Sequence, residues 1–574
     1  MPRKGGGASM GFAHGSRCGH QPRGNQASSA GTAWPAWEPT RREVLAAAVL
    51  AGAAASAGGA RADAAVPAAV VRNRVYTVSR RNTVTSTTYP RAEFRGLWTA
   101  SVANIDWPSR TGLSAAAQRA ELRSILDLAR SRQLNAVLLQ VRPTADRMWR
   151  STVGEPWSRY LTGTQGRDPG YDPLAYAVSE AHKRGLALHA WINPFRVAMD
   201  TNLNALVSSH PARKHPAWSF AYGGRRYYNP GLPAVRNFIR SVVVDLVRNY
   251  DVDGIHFDDY FYPYPVAGQA IPDAAAYAAH KGAFTSVAGW RRNNIDVFIR
   301  DTRAALKAAK PRVAFGISPF GIWRNSSSSS LGSATSGLES YSALYADSRK
   351  WVREGWVDYI TPQLYWHQGY PVADYNVLVD WWARQVAGTA VKLYTGEAAY
   401  KAGDPSPAAW RDPHELRDHL TKARGVPAVR GHCFYNTTAF RANRLNAIGI
   451  LAARHYARPA LPVPFPRLNA GRPATPVIKS AVREGAGVRL TWTSGTAGED
   501  PTLIAIWRWE STGSVVPHIQ STATHLRAVL RRTSGTQSWL DTGATPGRTC
   551  WYMIQSVSRT GIDSANATCI FIRA

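Results

Sequence analysis

The chain has 574 residues, 45% of them hydrophobic, enough for one large domain and one or two smaller ones around a well-buried core. Its formal charge of +31 would attract an anionic polymer, yet the excess is scattered arginine with no long basic run and no RNA-binding signature, so nucleic acid is not the expected partner. No CxxC pair exists among the four cysteines, and His414-Glu415 is followed by His419, one residue off the spacing that puts two histidines on one helix face; no metal and no cofactor is expected, and that segment reads as a solvated helix surface.

Residues 1–62 read as a leader and targeting segment. Thr40-Arg41-Arg42-Glu43-Val44-Leu45 precedes an alanine-rich apolar run from Ala46 to Ala55, then Ala60-Arg61-Ala62, a small-x-small cleavage pattern. This resembles a twin-arginine export signal, and the basic character of the chain survives its removal. The apolar run is too short for a permanent membrane span, and no later stretch reaches about 20 uninterrupted apolar residues, so an exported protein that is not integral to the membrane is expected.

A linker is expected over 63–92, then short β-rich runs separated by helical patterns or long loops, the alternation of a parallel sheet. The runs are 94–101, 136–143, 187–194, 253–261, 313–321, 358–366, 391–398 and 431–436. Eight such strands close a (β/α)8 TIM-type barrel, here predicted over 93–460. Between them, 115–132 and 234–250 have helical spacing, with Leu122, Ile125, Leu126 and Ala129 forming one stripe and Val235, Ile239, Val242 and Leu246 another. A Pro-rich stretch, 459–475, marks the boundary to a small all-β sandwich over 471–574 that looks like a fibronectin type III module, with strands at 488–493, 503–510, 550–557 and 569–574. Cys550 and Cys569 fall in two of these strands and are the candidates for a disulfide.

Side-chain alternation says what fills the barrel. Val137, Leu139 and Val141 share one face and leave Gln140 and Arg142 on the other; Leu188, Ala190 and Ile192 stand against His189, Trp191 and Asn193; Ile255 and Phe257 against His256 and Asp258; Ile360, Pro362 and Leu364 against Thr361, Gln363 and Tyr365. So many polar tips must satisfy one another or meet solvent and ligand. A structural polar network in the lumen is the alternative reading. Barrel enzymes place their chemistry at the carboxyl ends of the strands, and Asp258-Asp259 stands there among Tyr260, Phe261, Tyr262 and Tyr264, the combination of a glycosidase cleft. The plainer alternative is that the two acids cap the following loop.

Glycoside hydrolysis needs two carboxyl groups. Asp258 is the candidate general acid/base, its pKa raised by Asp259 and the aromatic rings, and Glu397, ending the seventh strand across the barrel, is its candidate partner. The parity of Glu397 is ambiguous because Val391 and Leu393 share its face. Asp259 competes for that place, or orients Asp258, Arg142 or a sugar hydroxyl; Asp146 and Glu155 are further candidates. Tyr260, Tyr262, Tyr264, Trp366 and Trp157 are candidate sugar platforms or core. Arg142, Arg196 and Arg324 sit at strand ends where one would meet a substrate carboxylate, with surface or structural roles the plainer reading for the last two.

The segments 94–108 (FRGLWTASVANIDWP), 138–149 (LLQVRPTADRMW), 188–197 (LHAWINPFRV), 252–263 (VDGIHFDDYFYP), 316–325 (GISPFGIWRN) and 361–369 (TPQLYWHQG) resemble glycosyl-hydrolase-like family 10. The resemblance covers about 93–460 and implies a barrel glycosidase of the cell envelope, acting on a polysaccharide, namely glycan strands stripped of stem peptides. It carries over Asp258 and Glu397 as catalytic and Arg142, Asn193, His256, Asp259, Gln363, Tyr365 and Trp366 as site residues. Oligomeric state stays open.

Overall fold

A computed structural model describes residues 75–78, 88–468, 471–495, 502–510, 519 and 522–572. The leader, the twin-arginine segment and most of 63–92 lie outside the described residues.

Eight parallel strands close a barrel in chain order: β1 (Phe94–Thr99), β2 (Ala136–Arg142), β3 (Ala187–Ile192), β4 (Gly254–Phe257), β5 (Ala314–Ile317), β6 (Tyr359–Ile360), β7 (Lys392–Glu397) and β8 (Val429–Phe434), the last returning to β1 through Gly431↔Phe94 to Phe434↔Leu97. Helix α1 (Ala115–Ser131) starts where the Ser114 hydroxyl accepts the Ala117 N–H, and α2 (Pro233–Asn249) starts on a proline whose missing N–H costs nothing at that position. Their predicted stripes are buried against the outward face of the strands, with Val137, Leu139, Val141, Ile255 and Phe257 in the same apolar layer. Such burial contributes roughly 1.5–3 kcal/mol per large side chain.

The inward face is aromatic at its base. Phe94 and Tyr394 stack at 4.3 Å, with Tyr359 and His189 beside them. Glycines make the room: a methyl group at Gly316 would stand 2.0 Å from the Tyr359 ring, and one at Gly254 2.4 Å from the His189 ring. The barrel is a packed core below and opens only above the strand ends.

The C-terminal region is an antiparallel sandwich of two sheets. One has three strands, Val477–Glu484, Gly487–Thr493 and Thr536–Asp541; the other has five, and its edge strand, Val75–Val78, comes from the segment expected to be a linker. Val75–Val78 pairs with the closing strand Ala567–Ile572. Both faces of the larger sheet are covered: Ile504, Ile506, Tyr552 and Ile570 pack on Leu490 and Trp492 of the smaller sheet, while Ala505, Trp507, Met553 and Cys569 pack with Leu461, which follows the barrel. This two-sided burial overturns the expected disulfide. Cys569 is paired with Met553 and Cys550 with Ile572, three positions along the ladder, so the two thiols project to opposite faces into different cores and both are free.

Barrel and sandwich are also tied through charge at the N-terminal ends of the barrel strands. Arg559 pairs with Asp251 at 2.6 Å, and Arg130 donates to the Val529 carbonyl at 3.2 Å.

Candidate active site

Asp258 follows β4 at the barrel mouth and faces the lumen. Its Oδ2 accepts from the Trp191 indole N–H at 3.2 Å and from the Asn193 amide, and its Oδ1 takes a longer bond from the Tyr260 N–H at 3.4 Å. The orientation of the Asn193 amide is fixed from behind. Gln140 Oε1 accepts the backbone N–H groups of Ser101 and Val102 at 2.9 and 2.8 Å, so its Nε2 is a donor, to Asn193 Oδ1 at 2.5 Å, and Asn193 is left with N–H to offer Asp258. The donors reaching Asp258 are all neutral. Burial and then the adjacent Asp259 charge therefore push its carboxyl up to about 7, against the opposing pull of Arg196. At 4% exposure it sits at the floor of the cleft. Asp259 accepts from the Tyr264 hydroxyl.

Two aromatic runs flank the pair. Tyr260, Tyr264, Phe320 and Trp366 touch in series with centroids 5.5, 6.2 and 5.5 Å apart, and Tyr365 contacts Tyr400 and Tyr435 at 5.7 and 6.1 Å. Tyr260, Tyr264, Tyr365, Trp366, Tyr400 and Tyr435 are all half-exposed, as is Gln363, whose amide donates to the Ser318 carbonyl at 2.9 Å. Flat rings beside carboxyl groups suit a saccharide, which offers C–H faces to the rings and hydroxyls to the acids.

Several expected site residues stand elsewhere. Glu397 does not face Asp258: it shares the outward parity of Leu393, is fully buried in the helical layer, and accepts from the Tyr375 hydroxyl at 2.7 Å, the Thr395 hydroxyl at 2.5 Å and His419 Nδ1 at 2.9 Å. Tyr375 and His419 belong to α3 (Tyr375–Val386) and α4 (Glu415–Arg424). His419 is no solvated residue; its other nitrogen meets Glu415 at 3.0 Å, making it an imidazolium held between two carboxylates. Burial alone would raise the Glu397 pKa, but the His419 and His432 hydrogen bonds outweigh it and hold the carboxylate well below its usual range.

Arg142 is on the lumen face as parity requires, but it is sealed. Its guanidinium grips Glu155 at 2.8 and 2.5 Å and the Asn193 and Pro194 carbonyls at 2.6 and 2.9 Å, so it positions the loop carrying Asn193 and cannot reach a substrate. This also removes Glu155 as a candidate acid. Asp146 is fully buried beside Thr144. His256 lies one step below Asp258, likewise fully buried, with Trp98 Nε1 donating to its Nε2 at 3.1 Å and Tyr359 on its Nδ1 at 3.0 Å. It is a neutral lumen group rather than a substrate contact. Tyr262 and Trp157 are core. Among the contributors not singled out as site residues in the sequence are Trp191 and Tyr435; alternation marks the first, while nothing in the sequence marks the second.

With the geometry established, comparison with known proteins is informative. The family model described as Glycosyl hydrolase-like 10 matches residues 93–412. The chain belongs to this family. Among its relatives are Glycosyl hydrolase YngK of Bacillus subtilis (strain 168), 42% identical over 473 residues covering 81% of this chain and 91% of the relative. Glycosyl hydrolase DigH of Escherichia coli (strain K12) is 40% identical over 373 residues, 61% of this chain and 83% of the relative. A solved structure similar in part is the PgaB (BpsB) glycoside hydrolase domain from Bordetella bronchiseptica, with a TM-score of 0.44 and 15% identity over 63% of this chain and 99% of that one. Membership of the glycosyl hydrolase-like 10 family implies a polysaccharide substrate. Among the described residues no helix is long and apolar enough to cross a membrane.

Proposed function

We propose that the chain is an exported glycosidase that cuts glycan strands of the bacterial cell wall lacking their stem peptides. The observation that carries the hydrolytic reading is the adjacent pair Asp258 and Asp259 on the floor of an aromatic cleft, one of them with its carboxyl raised to about 7. A carboxyl of that pKa still carries a proton near neutrality, as a general acid to the departing glycosidic oxygen must. Asp259, held by Tyr264, takes the second carboxyl role that Glu397 cannot fill. Export rests on the Arg41-Arg42 segment and the apolar run behind it; the cell-wall substrate rests on the family resemblance and on the strongly basic balance of the chain.

The displacement of Glu397 from the mouth favours a rival, a glycan-binding barrel without turnover, because only neighbouring acids are left at the site. Digestion of purified sacculi, with and without prior amidase treatment, separates the two. Release of soluble fragments from amidase-treated sacculi, abolished by Asp258→Asn, is the expected result. Retention on sacculi with no fragments from any glycan tested establishes the binder.

A further inference from the structure

Five arginines of the described chain are nearly or fully buried, namely Arg91, Arg95, Arg142, Arg196 and Arg508. Four of them have a carboxylate within ion-pair distance: Asp563, Glu93, Glu155 and Asp541 respectively for Arg91, Arg95, Arg142 and Arg508. Arg196 does not. Its Nε donates to the Pro143 carbonyl at 3.0 Å and its guanidinium lies 5.1 Å from the centre of the half-exposed Tyr260 ring, at 5% exposure, yet no hydrogen bond or ion pair engages its two terminal nitrogens. Each of these nitrogens keeps a little surface accessible to solvent.

A guanidinium is the least easily neutralised side chain, and one kept from water without an anion is costly. The fold accepts that cost at the mouth of the site. Short strand Arg196–Ala198, braced against Arg225–Tyr228, fixes the backbone; the Pro143 carbonyl and the Tyr260 ring fix the plane of the fork. Asp258 and Tyr260 are near enough to feel its charge, yet among the described residues no carboxylate forms an ion pair with it. What remains is a pre-set two-pronged donor beside Tyr260 with both terminal nitrogens uncommitted, an arrangement suited to a carboxylate.

We propose that Arg196 is the specificity residue of the cleft and receives a carboxylate borne by the sugar ring bound next to Asp258. This rests on the glycosidase reading and names the chemical feature of the substrate, a carboxylated glycan; the carboxylate comes either from a lactyl ether on an amino sugar or from a uronic acid.

The test needs no variant to begin. Glycan strands bearing free lactyl carboxyls are compared with the same strands after conversion of those carboxyls to methylamides, with oligomers of N-acetylglucosamine, and with a uronate-containing oligomer, by kcat/KM and, independently, by calorimetric binding. Wild type is expected to favour the free-acid strands over the methylamides by about 10- to 100-fold, mostly in KM, the range of a charge-assisted bidentate contact. Arg196→Gln brings that ratio to about one, and Arg196→Lys keeps part of it. Preference for the uronate oligomer over the lactyl strands assigns the other carboxylate source. A wild-type ratio near one, or a ratio that Arg196→Gln leaves intact, overturns the proposal while leaving hydrolysis standing. Arg196-dependent binding preference with no turnover on any glycan does the reverse, sparing the carboxylate site and removing the glycosidase.

Discussion

Asp258 and Glu397 are two buried carboxyls at the carboxyl ends of two strands of one barrel, and their surroundings drive them in opposite directions. Asp258 faces inward, meets only neutral donors, and has a second aspartate beside it; its proton is held to about 7. Glu397 faces outward, meets an imidazolium and two hydroxyls, and is locked as the anion. The first is an acid poised to give up a proton, and the second is a bolt between the strand and α3 and α4. Burial is common to both, so burial does not identify a reactive acid; the charge state of the partners does.

The largest expected effect separates the two directly. Asp258→Asn should lower turnover on peptide-free glycan by about 10³-fold, within the usual range for loss of a general acid, with no fall in melting temperature. Next in size, Glu397→Gln leaves His419 with one carboxylate in a buried site and should cost about 3–5 kcal/mol in urea unfolding, with turnover per folded molecule kept within a few-fold. Were Glu397→Gln to fold like wild type and lose a thousandfold in rate, the outward position of Glu397 would not be the working one.

This contrast was half legible in the sequence. Period-2 alternation sorted Gln140, Trp191, Asn193 and Asp258 to the lumen and their neighbours to the helical layer, and the same rule put Glu397 with Val391 and Leu393, on the outside. Weighting strand-end position above parity made it a catalytic candidate. Alternation reports face but not depth or cover: His256 is on the correct face one step too low, and Arg142 is roofed by a loop whose Glu155 lies 13 residues away in sequence. Tyr435 comes from the last strand end and meets Tyr365 through closure of the ring, a contact no local pattern carries. The strand Val75–Val78 is four residues long and is specified by its partner Ala567–Ile572 at the far end of the chain, which is why it read as linker.

Acidity sharpens the comparison further. In folded protein Asp258 binds its proton more tightly than in the unfolded chain, so its contribution to stability falls as pH rises from about 4, the ordinary carboxyl range, to about 7. Glu397 has the opposite sign: its lowered pKa contributes stability above the ordinary carboxyl range, lost as pH falls through the folded value. Unfolding free energies at several pH values should show Asp258→Asn gaining on wild type between about pH 4 and 7, and the deficit of Glu397→Gln shrinking below about pH 4. In activity, the basic limb of wild type is expected near 7; Asp259→Asn removes the second carboxyl and with it turnover, so the influence of its charge is read by NMR titration of the Asp258 carboxyl, which should ionise at lower pH than in wild type. An unmoved titration would mean that burial alone sets the Asp258 proton.

The smallest effect belongs to the rings. Trp366 is half-buried at the edge of the core and packs edge-to-face on Phe320 at 5.5 Å, which leaves part of it available as a platform. Trp366→Ala should raise KM about 5- to 10-fold, roughly the 1–1.4 kcal/mol of one stacking contact, with kcat nearly unchanged and the pH limb where it was. Trp381, by contrast, is buried in the outer layer that also holds Glu397, so Trp381→Ala should lower the melting point by the loss of a core aromatic, about 3–5 kcal/mol, and leave KM alone. A rise in KM for both, or for neither, would detach the aromatic run from the substrate and leave the inward acid as the sole mark of the site.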